Sequence, residues 1–115
     1  MNPIKQNEIN KILKLIHKQS MSMFGDKLKS VILYGSYARG DYSKDSDIDI
    51  MLLVDMDKHD LIRYRKYIAH ISSMIDLEYD VFTSIKLQDY KTYNDWLKVV
   101  PFYQNVQREG VIING

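Results

Sequence analysis

The chain has 115 residues and a formal net charge of +1, from 16 basic and 15 acidic residues. Its composition is 45% hydrophobic and 27% charged, which is typical of a globular protein and excludes disordered and collagen-like chains. The absence of cysteine excludes disulfides, thiolate zinc sites and cysteine nucleophiles. No apolar run reaches the ~20 residues of a membrane span, so we expect no membrane association. With so small a net charge, we also expect no direct contact with nucleic acid.

Hydrophobic spacing predicts alternating helices and strands within one domain, residues 1–115. The pattern predicts first a helix at 4–24, a strand at 31–34, and a turn, short helix and loop over 36–46. It then predicts a strand at 47–54, a helix at 58–75 and a strand at 77–83. Helices at 87–97 and 101–109 follow, and 111–113 is a short final strand or an extended tail. This order predicts an α/β (α+β) fold, in which a small mixed sheet has helices packed over one face.

Two aspartates, Asp47 and Asp49, lie at the start of the predicted strand 47–54. Side chains alternate across a strand, so both carboxylates face the same side while Ile48 and Ile50 face the core. Like charges this close repel each other, and a divalent cation between them would stabilise the pair. Mg²⁺ prefers this chemistry, because it binds a few carboxylates together with substrate phosphate oxygens.

A third acid is predicted on the strand 77–83. Asp80 precedes three residues that are typical of a strand, and a strand beside 47–54 would bring its carboxylate to the same metals. Asp76 and Glu78 share its face by parity and are interpreted as solvated charges. Three acids can hold two metal ions, an arrangement that supports in-line displacement at phosphorus.

A phosphate cradle is predicted between the first two strands. Gly35 allows close approach of a ligand to the backbone, and Ser36 adds a hydroxyl at the start of a short helix. Arg39 lies one turn later and could bind a phosphate with two hydrogen bonds, or could pair with a neighbouring aspartate at the surface. Ser46 could donate to a phosphate or close a turn.

These motifs resemble a known family. Gly35-Ser36, ten intervening residues and Asp47-Ile48-Asp49 resemble the signature of the polymerase-β-like nucleotidyltransferases. The string GSYARGDYSKDSDIDIMLLV is similar to the minimal nucleotidyltransferases, and the segment from Asp80 to Thr83 and the ending FYQNVQREGVII resemble the same group. The resemblance covers roughly residues 28–113.

The resemblance implies a nucleotidyltransferase fold and transfer of AMP from ATP to a hydroxyl, with two Mg²⁺ ions. It implies that the metals are bound by three catalytic acids, Asp47, Asp49 and Asp80. It also implies that the nucleotide phosphates are bound by four residues, Gly35, Ser36, Arg39 and Ser46.

The resemblance also implies a partner. Minimal nucleotidyltransferases often pair with a HEPN-domain toxin and act as antitoxins by adenylylating it on a tyrosine, in the cytoplasm. Two alternatives stay open: an enzyme that modifies a small hydroxyl compound such as an aminoglycoside, and an antitoxin that acts only by binding. The sequence leaves open the acceptor, the preferred base, the number of nucleotides added and the homo- or hetero-oligomeric state.

Overall fold

The computed structural model describes residues 6–114, so the predicted start of the first helix at residue 4 lies outside the described residues. One short 3₁₀ turn directly follows the first helix, and another directly precedes the second-longest helix. The helices are α1 (Gln6–Phe24), α2 (Ser36–Arg39), α3 (Lys58–Leu61), α4 (Arg65–Tyr79), α5 (Tyr90–Trp96) and α6 (Pro101–Glu109). The strands are β1 (Leu28–Tyr34), β2 (Ile48–Val54), β3 (Thr83–Asp89) and β4 (Val111–Ile112).

The four strands form one mixed sheet, as the sequence predicts, and their order across it is β3-β2-β1-β4. β1 is antiparallel to both β2 and β4, whereas β2 and β3 are parallel. The parallel pair is joined by the crossover that contains α3 and α4, because parallel strands cannot be connected by a tight hairpin. β2 therefore has a neighbouring strand on each side. Within residues 6–114, no helix is both long and apolar enough to cross a membrane.

Helices cover both faces of the sheet, so the prediction of helices on one face is incomplete. The larger core lies under α1 and α4, and it includes Ile12, Ile16, Val31, Leu33, Ile48, Ile50, Leu52, Ile68 and Ile75. The smaller core lies under α5 and α6, and it includes Ile32, Tyr34, Met51, Leu53, Tyr93 and Val106. The physical reason is that β1 and β2 carry apolar residues at both odd and even positions. Both faces of the sheet are therefore apolar, and helices must cover both of them.

The predicted strand at 77–83 is wrong. Helix α4 continues to Tyr79 and ends at Asp80, which adopts a left-handed conformation with φ 55°. β3 begins only at Thr83, where a carboxylate oxygen of Asp76 accepts hydrogen bonds from the backbone N–H (2.8 Å) and the hydroxyl (2.9 Å). Asp76 is therefore a half-buried anchor between α4 and β3 and not a solvated charge.

The predicted helix at 87–97 begins three residues later than expected. β3 continues through Asp89, whose side chain accepts a hydrogen bond from the backbone N–H of Thr92 at 3.0 Å. This side chain caps the first turn of α5, and capping of this kind satisfies a backbone donor that has no partner within the helix. The predicted helix at 101–109 is confirmed, with Pro101 in its first turn.

Replacing Asp76 with Ala should lower the free energy of unfolding by about 1–3 kcal/mol, because the backbone donor at the start of β3 loses its acceptor. Urea denaturation of wild type and variant measures this loss. Glu78→Ala is the matched control, because Glu78 is an exposed acid on the same helix. Equal stabilities of the two variants would contradict this role for Asp76.

Candidate active site

The sheet register brings the end of β1 to the start of β2. Tyr34 is the pairing partner of Asp49, and the chain leaves β1 through Gly35. Gly35 has φ 74° and ψ −155°, a conformation that is essentially restricted to glycine. Its carbonyl oxygen accepts hydrogen bonds from the backbone N–H groups of Ala38 and Arg39, both at 3.1 Å. The turn into α2 thus begins immediately beside Asp49.

Gly35 also leaves the space that the carboxylate of Asp49 occupies. A Cβ atom built on Gly35 would overlap a carboxylate oxygen of Asp49 and would lie 3.3 Å from its Cγ. No larger residue fits at this position without moving the acid. The glycine of the Gly35-Ser36 motif is therefore required by both its backbone conformation and its contact with Asp49.

The carboxylates of Asp47 and Asp49 form a pair without a compensating ion pair. Asp47 is exposed and precedes β2, whereas Asp49 is half-buried within it. Partial burial, and secondly the charge of Asp47, raise the pKa of Asp49, while the charges of Lys86 and Arg39 act in the opposite direction. Among the described residues, neither aspartate forms a salt bridge. Two unneutralised carboxylates beside each other fit a hard divalent cation such as Mg²⁺.

Arg39 lies near this pair but is already bound to other acids. Its guanidinium forms ion pairs with Asp41 and with Glu109 at the end of α6, each at 3.1 Å. These hydrogen bonds raise the pKa of Arg39. The pairing with Asp41 is the surface alternative that the sequence left open, whereas Glu109 could not be found from sequence because it is 70 residues away. A phosphate would have to compete with both carboxylates for this side chain.

Ser46 closes the turn that leads into β2. Its hydroxyl accepts a hydrogen bond from the backbone N–H of Ser43 at 2.9 Å, and its own N–H donates to the Ser43 carbonyl at 3.1 Å. The ring of Tyr42 in the same loop stacks on the ring of Tyr37 in α2, with centroids 4.2 Å apart. These contacts hold the loop between α2 and β2 and thereby fix the position of Asp47, the residue that precedes β2.

Asp80 does not lie on the strand where the sequence placed it. It is exposed at the end of α4, and no group of three or more acids or histidines within residues 6–114 is arranged to hold a metal ion. The β3 residue that pairs with Asp49 is Ser84. The strand begins later than predicted because of the anchor at Thr83, and this shift separates Asp80 from its predicted position.

The same shift reveals residues that the sequence analysis missed. Ile85 and Leu87 pack against the larger core, so Ser84 and Lys86 lie on the opposite face, which also carries Asp49. The alternation of apolar and polar residues over 83–89 would have identified them. Tyr34 shares this face, and its burial, followed by the charge of Asp49, raises the pKa of Tyr34 to about 12.

Comparison with known proteins identifies the family. The family model described as a nucleotidyltransferase domain matches residues 8–103. The chain belongs to this nucleotidyltransferase family. A Methanocaldococcus jannaschii relative, described as a candidate protein adenylyltransferase, is 40% identical to this nucleotidyltransferase over 77 residues, which make up 67% of this chain and 76% of the relative. A second protein of that organism with the same description is 32% identical over 92 residues, 80% of this chain and 84% of its own.

A solved toxin–antitoxin structure, of MntA and HpeT, contains a chain with the same fold. It superposes with a TM-score of 0.52 at 21% identity, covering 90% of this nucleotidyltransferase and 73% of the solved chain. At this identity the likeness establishes the fold and nothing further. The predicted nucleotidyltransferase fold, a small mixed sheet with packed helices, is therefore confirmed.

Replacing Gly35 with Ala should abolish nucleotide transfer and lower the free energy of unfolding by about 1–3 kcal/mol, because the new methyl group displaces Asp49 and the backbone is strained. Transfer assays and denaturation together test this. Gly40→Ala is the matched control: Gly40 also has a positive φ of 84°, but its added Cβ would meet no atom of the described residues within 4 Å. Retained transfer in Gly35→Ala would contradict the proposed contact.

Replacing Asp49 with Asn should raise Tm at pH 7, by about 1–4 °C. Because its pKa is raised above the usual 3.8 in the folded state, the folded protein holds this proton more tightly than the unfolded chain. Stability therefore falls as pH rises from that value through the raised pKa, and the neutral amide removes the cost. Thermal unfolding at pH 3 and pH 7 should show the gain only at pH 7. The control Asp45→Asn, in the loop that precedes β2, should show none, and a lower Tm for Asp49→Asn at pH 7 would contradict the account.

Proposed function

We propose that the protein transfers AMP from ATP to a hydroxyl group of a partner protein in a Mg²⁺-dependent reaction. The observation that carries this proposal is the unneutralised pair of Asp47 and Asp49 beside the Gly35 turn. Repulsion between the two carboxylates destabilises the folded protein, and a bound cation would remove that repulsion. A metal-bound triphosphate meets the same need, because Mg²⁺ commonly joins protein carboxylates to phosphate oxygens.

Each residue of the site has a proposed role in binding. Asp47 and Asp49 would hold the two Mg²⁺ ions. The backbone at Gly35 and the hydroxyl of Ser36 bind the β- and γ-phosphates. Two further residues contribute less directly: Arg39 assists when released from its acids, and Ser46 positions Asp47. For Asp80, at the end of α4, a metal-binding role stays a prediction from the sequence.

The reaction forms one bond and breaks one. The acceptor oxygen attacks the α-phosphorus, and the bond from that phosphorus to the oxygen that bridges to the β-phosphate breaks. Pyrophosphate leaves with the electron pair of the broken bond, and the hydroxyl proton passes to solvent. Bound Mg²⁺ would supply positive charge against the developing negative charge. The chain itself contributes orientation, because Gly35 and the Ser43–Ser46 turn fix the positions of the two acids.

The proposed acceptor is a tyrosine of a HEPN-type toxin. Support comes from the description of the 40% identical relative as a candidate protein adenylyltransferase and from the toxin–antitoxin origin of the solved structure. Asp47 is exposed, so the acid pair is accessible to a group presented by another protein. Because the reaction consumes ATP, we place it in the cytoplasm. A small hydroxyl compound such as an aminoglycoside is the second candidate acceptor.

Transfer of label from [α-³²P]ATP tests this proposal. The chain is incubated with Mg²⁺ and the product of its neighbouring gene, and the label is followed on a denaturing gel. We expect label on the neighbour, its loss with EDTA, and a loss of at least ~10²-fold in the Asp47→Asn/Asp49→Asn double variant. Asp45→Asn is the matched control and should transfer normally.

The remaining outcomes separate the alternatives. A stable complex that carries no label would overturn catalysis and favour an antitoxin that acts by binding. Label on an aminoglycoside and none on the protein would overturn the proposed acceptor. Label transfer by the double variant at the wild-type rate would overturn the role of the acid pair.

A further inference from the structure

The order of strands across the sheet gives the candidate site two distinct sides. Gly35 and Ser36 follow β1, which lies on one side of β2 and its acid pair. β3 lies on the other side, where Ser84 pairs with Asp49 and Lys86 comes two residues later on the same face. Because the attacking and leaving oxygens lie on opposite sides of phosphorus in an in-line displacement, β3 forms the acceptor side if Gly35 and Ser36 hold the leaving phosphates.

Lys86 is an uncommitted cation on this acceptor side. It is exposed, and it forms no salt bridge with any residue between 6 and 114. Arg39, the cation on the β1 side, is held by two carboxylates. Lys86 interacts electrostatically with Asp49. Its positive charge lowers the pKa of that acid, whereas burial raises the same pKa.

The side chain of Lys86 lies close to Phe102 of α6. Its ammonium nitrogen lies 5.9 Å from the centre of the Phe102 ring, within the range of a cation–π contact. The edge of Phe102 in turn packs against Tyr34, with ring centroids 5.7 Å apart. Tyr34 pairs with Asp49, so these aromatic rings and the acid share one face with Lys86.

We propose that Lys86 binds the α-phosphate of the nucleotide from the acceptor side of the acid pair. This inference rests on the proposed function and assigns one further substrate contact to it. An ammonium group is a suitable ligand, because lysine binds phosphate as a compact point charge with three donors.

Calorimetric titration with two probes, ATP and pyrophosphate, tests this contact in the presence of Mg²⁺. Pyrophosphate represents the leaving phosphates, whereas ATP also contains the α-phosphate. We expect Lys86→Met to weaken ATP binding about 10-fold or more and to leave pyrophosphate binding within about twofold. Lys86→Arg should retain most of the ATP affinity because it keeps the charge. Lys29→Met, on exposed β1 surface, is the matched control and should change neither affinity.

Three results would overturn the inference or its basis. Unchanged ATP affinity in Lys86→Met would overturn the contact while leaving the proposed function intact. An equal loss of ATP and pyrophosphate affinity would place Lys86 with the leaving phosphates and also overturn it. If wild-type protein binds neither probe, the proposed function itself fails. Matching Tm values for Lys86→Met and wild type exclude unfolding as the cause of any loss.

Discussion

The contact between Gly35 and the carboxylate of Asp49 is the constraint on which the rest of the site depends. Antiparallel pairing of β1 and β2 brings these residues together, and only glycine can adopt the required conformation and leave the required space. The apolar residues of both strands are buried on both faces of the sheet, so the register is strongly fixed. Core packing thereby determines the position of the half-buried carboxylate of Asp49.

The position of Asp49 beside a second carboxylate also destabilises the folded protein. Asp49 is partly buried next to a second carboxylate, and its raised pKa is the physical sign of that cost. Functional sites commonly contain such destabilising charge arrangements, because the ligand that removes the repulsion also carries out the function. Arg39 lowers the local negative potential but remains bound to Glu109, which links α2 to α6. This ion pair therefore connects the site to a helix residue that lies 70 positions later in the chain.

The sequence predicted the features that depend on local pattern. β2 and its alternation, the Gly35 turn and α6 could be identified because glycine, proline and hydrophobic period mark them directly. The end of α4 could not, since it depends on a tertiary contact between Asp76 and Thr83 and on a left-handed residue that is not glycine. This single error moved β3 by six residues, misplaced Asp80 and concealed Lys86. The packing of α5 and α6 on the second face was also missed, although the two-sided apolar character of β1 and β2 indicated it.

A crystal structure with Mn²⁺ and a non-hydrolysable ATP analogue would test the central claim most directly. Mn²⁺ replaces Mg²⁺ at oxygen ligands and can be located by its anomalous scattering. The account predicts Mn²⁺ bound by carboxylate oxygens of both Asp47 and Asp49 and by phosphate oxygens, with the terminal phosphates at Gly35 and Ser36. Mn²⁺ bound by neither Asp47 nor Asp49, or nucleotide bound away from the acid pair, would contradict it.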